Sequence, residues 1–411
     1  MQTDTLNPGL SLEHCLKCSL CVDVCPMKAV NPIYPGPKQA GPDEERYRIR
    51  SPYFYDYLLK YCLNCKRCEV ACPSNVKIAD IIQRAKLSSG KSSRPLRDFM
   101  LASTDFVGTM ASPFAPIVNP ILSTKLAKGA MDALMGVDHR RTFPAYSAKK
   151  FTTKMKGIPQ DSFTRRITYF HGCYVQYNFP SLGEDLVRVM NACGVGVDIL
   201  RDEKCCGVAM MANGFKGKSM SMAKHNMAIL SDAASAGRTI LTTSSTCTFT
   251  MREEYNHVLG LDTSPYKDNL MLATRWLYEE IEAGRIKLAF KEGIQRKIAY
   301  HTACHMQKLG WQLFSIEILR MIPGLETVIL DQECCGISGT FGFKKENYDF
   351  SQAISSKLAA NIEEAGVSEV CTDCETCKWQ IEMTCHVKVL NPITILAQSL
   401  DIEKTRELNK F

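Results

Sequence analysis

The sequence predicts an α/β protein: a mostly helical, cysteine-rich N-terminal module followed by two tandem, homologous domains, each a parallel sheet with helices on its faces. Three observations carry this reading. Two runs of four cysteines near the start share one spacing, and a second set of cysteine motifs recurs at a shift of about 130 residues in the later half. Each copy of that later half also alternates β-prone and helix-prone runs, the pattern of a parallel sheet.

The 411 residues suffice for about three domains at ~150 residues each. With 45% hydrophobic and 23% charged residues, the composition is that of a folded protein rather than a disordered or fibrous one. The opening MQTDTLNPGLSLEHC lacks the basic start and apolar run of a signal peptide, so a cytoplasmic location is expected, where thiols stay reduced. Twenty cysteines in that compartment point to metal rather than to disulfides.

The runs CLKCSLCVDVCP from Cys15 and CLNCKRCEVACP from Cys62 both read C-x2-C-x2-C-x3-C-P. Bacterial ferredoxins hold two 4Fe-4S clusters with this spacing: three thiolates of a tight loop cap one cube, and the fourth, before the proline, reaches the other. The first cluster is therefore assigned Cys15, Cys18, Cys21 and Cys72, and the second Cys62, Cys65, Cys68 and Cys25. Zinc also binds C-x2-C pairs, but it leaves the third cysteine and the proline of each run unexplained. Between the runs, NPIYPGPKQAGPDEERYRIRSP reads as a loop by its prolines and glycines. After them, VKIADIIQRAKL reads as a helix by the spacing of Val76, Ile78, Ala79, Ile82 and Ala85. Residues 1–90 thus form the two-cluster ferredoxin-type module.

The later half is a duplication. Cys205-Cys206-Gly207 recurs as Cys334-Cys335-Gly336, ITYFHGC ending at Cys173 as IAYHTAC ending at Cys304, and TTSSTCTF as TDCETCKW, with Cys247 opposite Cys377. The boundaries are 166–290 for the first copy and 291–411 for the second. In the second copy IAYHTA, TVIL and SEVCT read as strands, and WQLFSIEILRMI and SQAISSKLAANIEEAG as helices. Ligands of such folds sit at the carboxyl ends of the strands, which is where the cysteines fall. Cys304, Cys334, Cys335, Cys374 and Cys377 are expected to converge on one point. Gly336 is expected to let the backbone pass close to the inorganic ligand.

The C…CCG…CxxC pattern is similar to the cysteine-rich CCG motif of heterodisulfide reductase B subunits and of the iron-sulfur subunits of glycolate oxidase and lactate utilisation systems. With the ferredoxin-type runs ahead of it, and with SSTCTF, CCGISGTFGFKKENY and TDCETCKWQIEM, nearly the whole chain resembles the C-subunit family of anaerobic glycerol-3-phosphate dehydrogenases. The likeness is weakest between about residues 90 and 165. It implies an iron-sulfur subunit that takes electrons from FAD- and FMN-bearing flavoprotein partners, anchors them at the cytoplasmic face of the inner membrane as a peripheral protein, and passes electrons to quinone, menaquinone in particular. No nucleic-acid partner is expected.

The two copies are unequal. The second has five cysteines, enough for a cubane or for the non-cubane cluster that the heterodisulfide reductase resemblance implies. The first has Ser244 where the second has Cys374, leaving Cys173, Cys205, Cys206 and Cys247 for a cubane or a zinc ion. Cys193 follows the helical spacing of Leu182, Leu186, Val189 and Met190, Cys371 aligns with Leu241 on a strand, and Cys385 lies two helical turns beyond Cys377; all three read as packing residues. His171, His301 and His305 stand near the first cysteine of each copy, either as proton carriers or as structural histidines at strand ends. Lys204, Lys344 and Lys378 adjoin cluster cysteines, either to raise a reduction potential or as solvated surface charge.

The intervening segment 91–165 reads as a linker, apolar and then basic. FVGTMASPFAPIVNPILST, from Phe106 to Thr124, carries no charge, but Pro113, Pro116 and Pro120 argue against a straight membrane-spanning helix. Residues 125–166 hold ten Lys or Arg against three Asp, a net +7. That combination suits either a chain lying on an anionic membrane surface or a linker with a basic solvated face. No Gly-rich dinucleotide fingerprint precedes a helix, so flavin and substrate are expected on partner chains. Three classes follow: an electron-transfer subunit, a self-contained disulfide reductase acting at the second CCG site, or a sensor or zinc scaffold. Two ferredoxin-type clusters in line with a third site favour the first.

The ligand exchange between the runs is testable. Cys25→Ser should damage the spectroscopic signal of the cluster held by the second run, and Cys72→Ser that of the first. Loss confined to the run that carries the changed cysteine would contradict the assignment.

Overall fold

Both cysteine loops of the N-terminal module wind in the same way. Lys17 and Ser19 in the first, and Asn64 and Lys66 in the second, have φ between 57° and 70°, flanking the middle cysteine of each loop. Paired left-handed residues of this kind turn successive backbone N–H groups inward, making a concavity suited to negative charge. Short helices Leu20–Asp23 and Arg67–Val70 follow, and Pro26 opens the helix Pro26–Val30, where its missing N–H has no partner to lose. The computed structural model describes residues 12–51, 56–89, 92 and 94–410.

The stretch expected to be a loop between the runs is instead helical: a π-helical turn Gln39–Asp43 leads into the α-helix Glu44–Arg50. Pro42 brings no N–H to the turn. Arg48 compensates by donating to the carbonyls of Ala40 (2.9 Å) and Gly41 (3.2 Å) while pairing with Glu44 and Glu45. The helix read over VKIADIIQRAKL is present as Ile78–Ser89.

The later half holds two four-stranded parallel sheets of the same topology. In the first copy β1 (Arg166–Tyr169), β2 (Gly196–Ile199), β3 (Ile240–Thr242) and β4 (Leu270–Leu272) lie in the order β2-β1-β3-β4. In the second, β5 (Arg296–Tyr300), β6 (Leu325–Ile329), β7 (Glu369–Cys371) and β8 (Lys388–Leu390) repeat it as β6-β5-β7-β8. The fourth strand of each copy, Leu270–Leu272 and Lys388–Leu390, is not among the β-prone runs read from the sequence. The strand order reverses between β1 and β3, and again between β5 and β7, which places the crevice of each sheet beside the motif cysteines.

The copies are halves of one body. A single buried cluster runs from Ile167, Leu182 and Leu186 of the first to Ile298, Ile316 and Leu396 of the second. Cys193 and Cys371 are buried in this core, as their spacing predicts.

Residues 94–165 fold into helices Pro95–Ala102, Thr104–Ala111, Ala115–Ser123, Lys125–Met135 and Phe151–Met155. Pro113 and Pro116 stand at the starts of new helical pieces and Pro120 lies inside Ala115–Ser123, and no helix among the described residues is long and apolar enough to cross a membrane. Gly108 lets Thr104–Ala111 lie directly on the first copy: a Cβ there would fall 2.5 Å from the Tyr177 ring.

The N-terminal module is fastened to both copies by a buried charge cluster. Lys66, fully buried inside the second cysteine loop, pairs with Asp80 of its own module and with Glu254 of the first copy at 3.0 Å. Asn64 donates to the same Glu254 (2.6 Å), His257 pairs with Asp80 (3.2 Å), and Lys308 of the second copy pairs with Glu69 (3.1 Å). Despite the cost of burial, these carboxylates hold the Lys66 ammonium well above its ordinary pKa. Lys66→Met should strand two buried carboxylates and cost about 3–5 kcal/mol, read as a lowered urea midpoint. An unchanged midpoint would show that the cluster does not hold the modules together.

Candidate metal centres

The thiols gather in the exchanged pattern. Burial and the neighbouring Cys15, Cys18 and Cys72 push the Cys21 thiol up to about 11. Burial, then Cys65 and Cys62, push Cys25 up to about 12, and Cys68 is raised by burial and by Cys65, Cys62 and Cys25 among others. The fourth cysteine of each run thus stands with the other run's three. Of these eight residues Cys18 is the exposed one, with Leu16 and Leu20 exposed beside it.

In the second copy the motif cysteines follow the carboxyl ends of β5, β6 and β7. The free thiols of Cys304 and Cys334, of Cys335 with Cys334 and Cys377, and of Cys374 and Cys377 lie in contact. All five expected residues are brought together. A sixth joins them: the Cys65 thiol of the N-terminal module contacts both Cys304 and Cys334. Gly336 serves a purpose other than the one expected. Its φ of +81° is left-handed, and a Cβ would fall 2.3 Å from the Ser351 carbonyl oxygen, so it is the protein backbone that requires glycine here. Its N–H donates to Cys334 Sγ at 3.4 Å.

In the first copy the free thiols of Cys173 and Cys205, Cys205 and Cys206, and Cys206 and Cys247 lie in contact. Ser244, in place of a fifth cysteine, accepts from the Cys247 N–H (3.3 Å) and donates to Glu375 of the second copy (2.8 Å). Burial and the adjacent Cys374 push Glu375 up to about 8. The two CxxC-type loops therefore face each other across the copies: Ser245 donates N–H and hydroxyl to the Asp373 carbonyl, both at 2.9 Å, and Thr246 Oγ1 lies 3.5 Å from Cys374 Sγ.

Sets of four or five thiols in mutual contact fit a polycationic inorganic core, since thiolates crowded this closely repel one another without one. The sulfur-only donor sets, the inward-turned loop amides and the burial of most of these residues suit iron-sulfur clusters. Cys385 ends the helix Glu375–Cys385, away from the motif sulfurs.

The histidines divide. His171 Nδ1 lies 2.9 Å from Glu203, which also accepts from the backbone N–H groups of His171 and Gly172. Burial opposes the imidazolium there, but Glu203 outweighs it and raises the pKa above its ordinary value. His301 is fully buried, with neither ring nitrogen hydrogen-bonded, and burial lowers it to about 4. His305 Nε2 donates to the Asn64 carbonyl (3.2 Å) and the ring stacks on Phe249, an inter-module contact. Among the lysines, Lys344 pairs with Asp98 (3.0 Å) and Asn213 (2.8 Å), Lys378 pairs with Glu382, and Lys204 is exposed.

Sequence reasoning missed Asp105, which accepts from the Cys205 N–H at 2.7 Å, and Glu375. The signals were present: Asp105 is the last charge before the uncharged stretch, and Glu375 lies inside a CxxC pair. A cavity of about 720 Å³, lined by Cys62, Lys86, Arg97, Asn213, Phe341 and Lys344 among others, lies where the module, the intervening helices and both copies meet.

Residues 11–76 match the 4Fe-4S dicluster domain, and residues 167–252 and 298–382 each match the cysteine-rich domain. The chain is 50% identical over 393 residues to the C subunit of anaerobic glycerol-3-phosphate dehydrogenase from Escherichia coli (strain K12), covering 95% of this chain and 99% of that one. It is 24% identical to the B subunit of fumarate reductase (CoM/CoB) from Methanothermobacter marburgensis, over 94% of this chain and 72% of that one. Lactate utilization protein A 2 of Bacillus cereus (strain Q1) is 28% identical over 44% of this chain and 74% of its own length. With two ferredoxin-type loops, two cysteine-rich copies and that end-to-end identity, the chain belongs to the family of anaerobic glycerol-3-phosphate dehydrogenase C subunits.

Proposed function

We propose that this chain is the iron-sulfur subunit that carries electrons from FAD- and FMN-bearing partners of an anaerobic glycerol-3-phosphate dehydrogenase to quinone, menaquinone in particular, while holding the complex at the cytoplasmic face of the membrane. The proposed ligands are Cys15, Cys18, Cys21 and Cys72; Cys62, Cys65, Cys68 and Cys25; Cys304, Cys334, Cys335, Cys374 and Cys377; and Cys173, Cys205, Cys206 and Cys247. Such clusters, when bound, exchange single electrons. The observation that carries the reading is the contact of Cys65 with Cys304 and Cys334, which sets the second ferredoxin-type site directly against the second cysteine-rich site. Neither a sensor nor an isolated catalytic centre needs that abutment. Leu16 and Leu20 around exposed Cys18 offer a partner an apolar rim at the opposite end.

Membrane contact is supported by the outward face of the intervening helices. Phe106, Met110, Phe114, Ile117 and Ile121 are all exposed, and Leu126 reaches 85% exposure. Lys125 and Lys149 are exposed nearby in sequence, as anionic headgroups require.

Two outcomes are expected. The chain should float with phosphatidylethanolamine/phosphatidylglycerol vesicles at low salt, and be released in part by high salt, because charge attraction is screened beyond ~10 Å at 0.1 M. Ile117→Glu with Ile121→Glu should abolish flotation; retention would show that another surface binds the bilayer. In the assembled complex, Cys335→Ala should stop quinone reduction while glycerol 3-phosphate still bleaches the ferredoxin-type clusters. Quinone reduction that survives with the second cysteine-rich centre demonstrably absent would remove that centre from the path. Zinc in place of iron and acid-labile sulfide in anaerobically purified protein would overturn the whole reading.

A further inference from the structure

We infer that the quinone end of this chain is the first cysteine-rich copy, where a membrane-borne quinone approaches Cys173 and Cys205 across the helix Thr104–Ala111; this rests on the quinone-reducing reading above. The sites have a spatial order. Cys65 adjoins the second copy through Cys304 and Cys334, and the second copy adjoins the first through Cys374 and Thr246 at 3.5 Å. The first copy is the last in that row.

The first copy is also the one roofed by the apolar helices. Thr104 lies against the Cys205 thiol, and Asp105 accepts the Cys205 N–H at 2.7 Å. Thr109 bonds to Tyr177 at 2.9 Å, on the helix Gly172–Tyr177 that carries Cys173. Tyr146 stands near Cys173, and its backbone exchanges two hydrogen bonds, both 2.9 Å, with Asn119 of the next apolar helix. Phe106 and Met110, each 58% exposed, stand on the outer face of the helix whose Thr104 and Asp105 touch Cys205. One helix therefore separates the surface proposed to meet lipid from the proposed ligands. Its sole charge, Asp105, is turned inward, so the outer face meets hydrocarbon without burying an ion.

The competing locations suit a quinone less well. The cavity of about 720 Å³ beside Cys62 mixes Tyr57, Leu63 and Phe341 with charged side chains, Lys86, Arg97, Asp98, Lys344 and Glu346 among them, which an isoprenoid tail would have to desolvate. Cys335 of the second copy is as buried as Cys205 of the first, but on that side buried Arg141 stands beside Cys335, with its guanidinium 4.7 Å from the Phe343 ring centre. The reaction at the first copy balances as one quinone, two electrons drawn from the partners' substrate and two protons from water, giving one quinol.

The test uses the native complex with its flavoprotein partners in phosphatidylethanolamine/phosphatidylglycerol vesicles containing a photoreactive isoprenoid azidoquinone. Label should fall in peptides 104–123 and 172–178 and be competed away by unmodified quinone. Phe106→Asp with Met110→Asp should lower that labelling at least tenfold. Competed label concentrated in peptides 57–64, 86–97 or 301–345 would overturn the assignment, as would its absence in a complex that reduces quinone, or undiminished labelling in a folded variant. The underlying reading fails separately, if the native complex forms no quinol from glycerol 3-phosphate.

Discussion

The Lys66 ammonium is wholly buried, and a buried cation persists only where carboxylates replace its hydration. Asp80 comes from its own module and Glu254 from the first copy, so the same charge that completes the second cysteine loop also docks that loop. Glu69 extends the arrangement: it accepts the backbone N–H groups of Ala79 and Asp80 at the start of the helix Ile78–Ser89, and its second oxygen takes Lys308 from the other copy. With the loop held from both sides, Cys65 is pressed against Cys304 and Cys334. Loosening that docking would separate two proposed redox sites as well as destabilise the fold.

The second constraint is the parallel sheet. Strands running in one direction deliver their loops to one end, so a duplicated sheet offers two sulfur clusters, and the shared core turns those ends toward each other. The loops then meet closely enough for Ser245 to bond the Asp373 carbonyl. At this seam the two copies differ. Where the second copy has Cys374, the first has a serine that bonds to Glu375 from across the seam, a hydroxyl-carboxylate pair in place of a further thiolate. Another thiolate beside Cys247 and Cys374 would add like charge to a site already crowded with it.

The intervening helices are two-faced for a related reason. Their inner side supplies Thr104 and Asp105 to the Cys205 loop and packs Gly108 on Tyr177, while their outer side is apolar. Pro113 and Pro116, at the starts of successive short pieces, go with a path that wraps the first copy rather than extends from it.

Much of this was legible in the residues themselves. Local spacing determined the two cysteine loops, because ligand geometry within a dozen residues is a property of the chain, and the exchange of Cys25 and Cys72 followed from the same spacing. Repetition revealed the two α/β copies, and periodicity placed Cys193 and Cys371 in the core. The loop expected before Arg50 failed because Arg48 reaches back to carbonyls eight and seven residues earlier, a side-chain contact that overrides the proline and glycine signals. What no periodicity could supply is everything that depends on residues meeting across 100 or more positions: Asp105 on Cys205, Ser244 on Glu375, Lys66 on Glu254, Cys65 on Cys304. The sequence by itself determined which thiols act together within each motif, since a short chain segment limits its own geometry. Only the tertiary structure decided the order in which those motifs adjoin and which of them lies under the apolar helices, because that order comes from buried charge and a shared core joining distant segments.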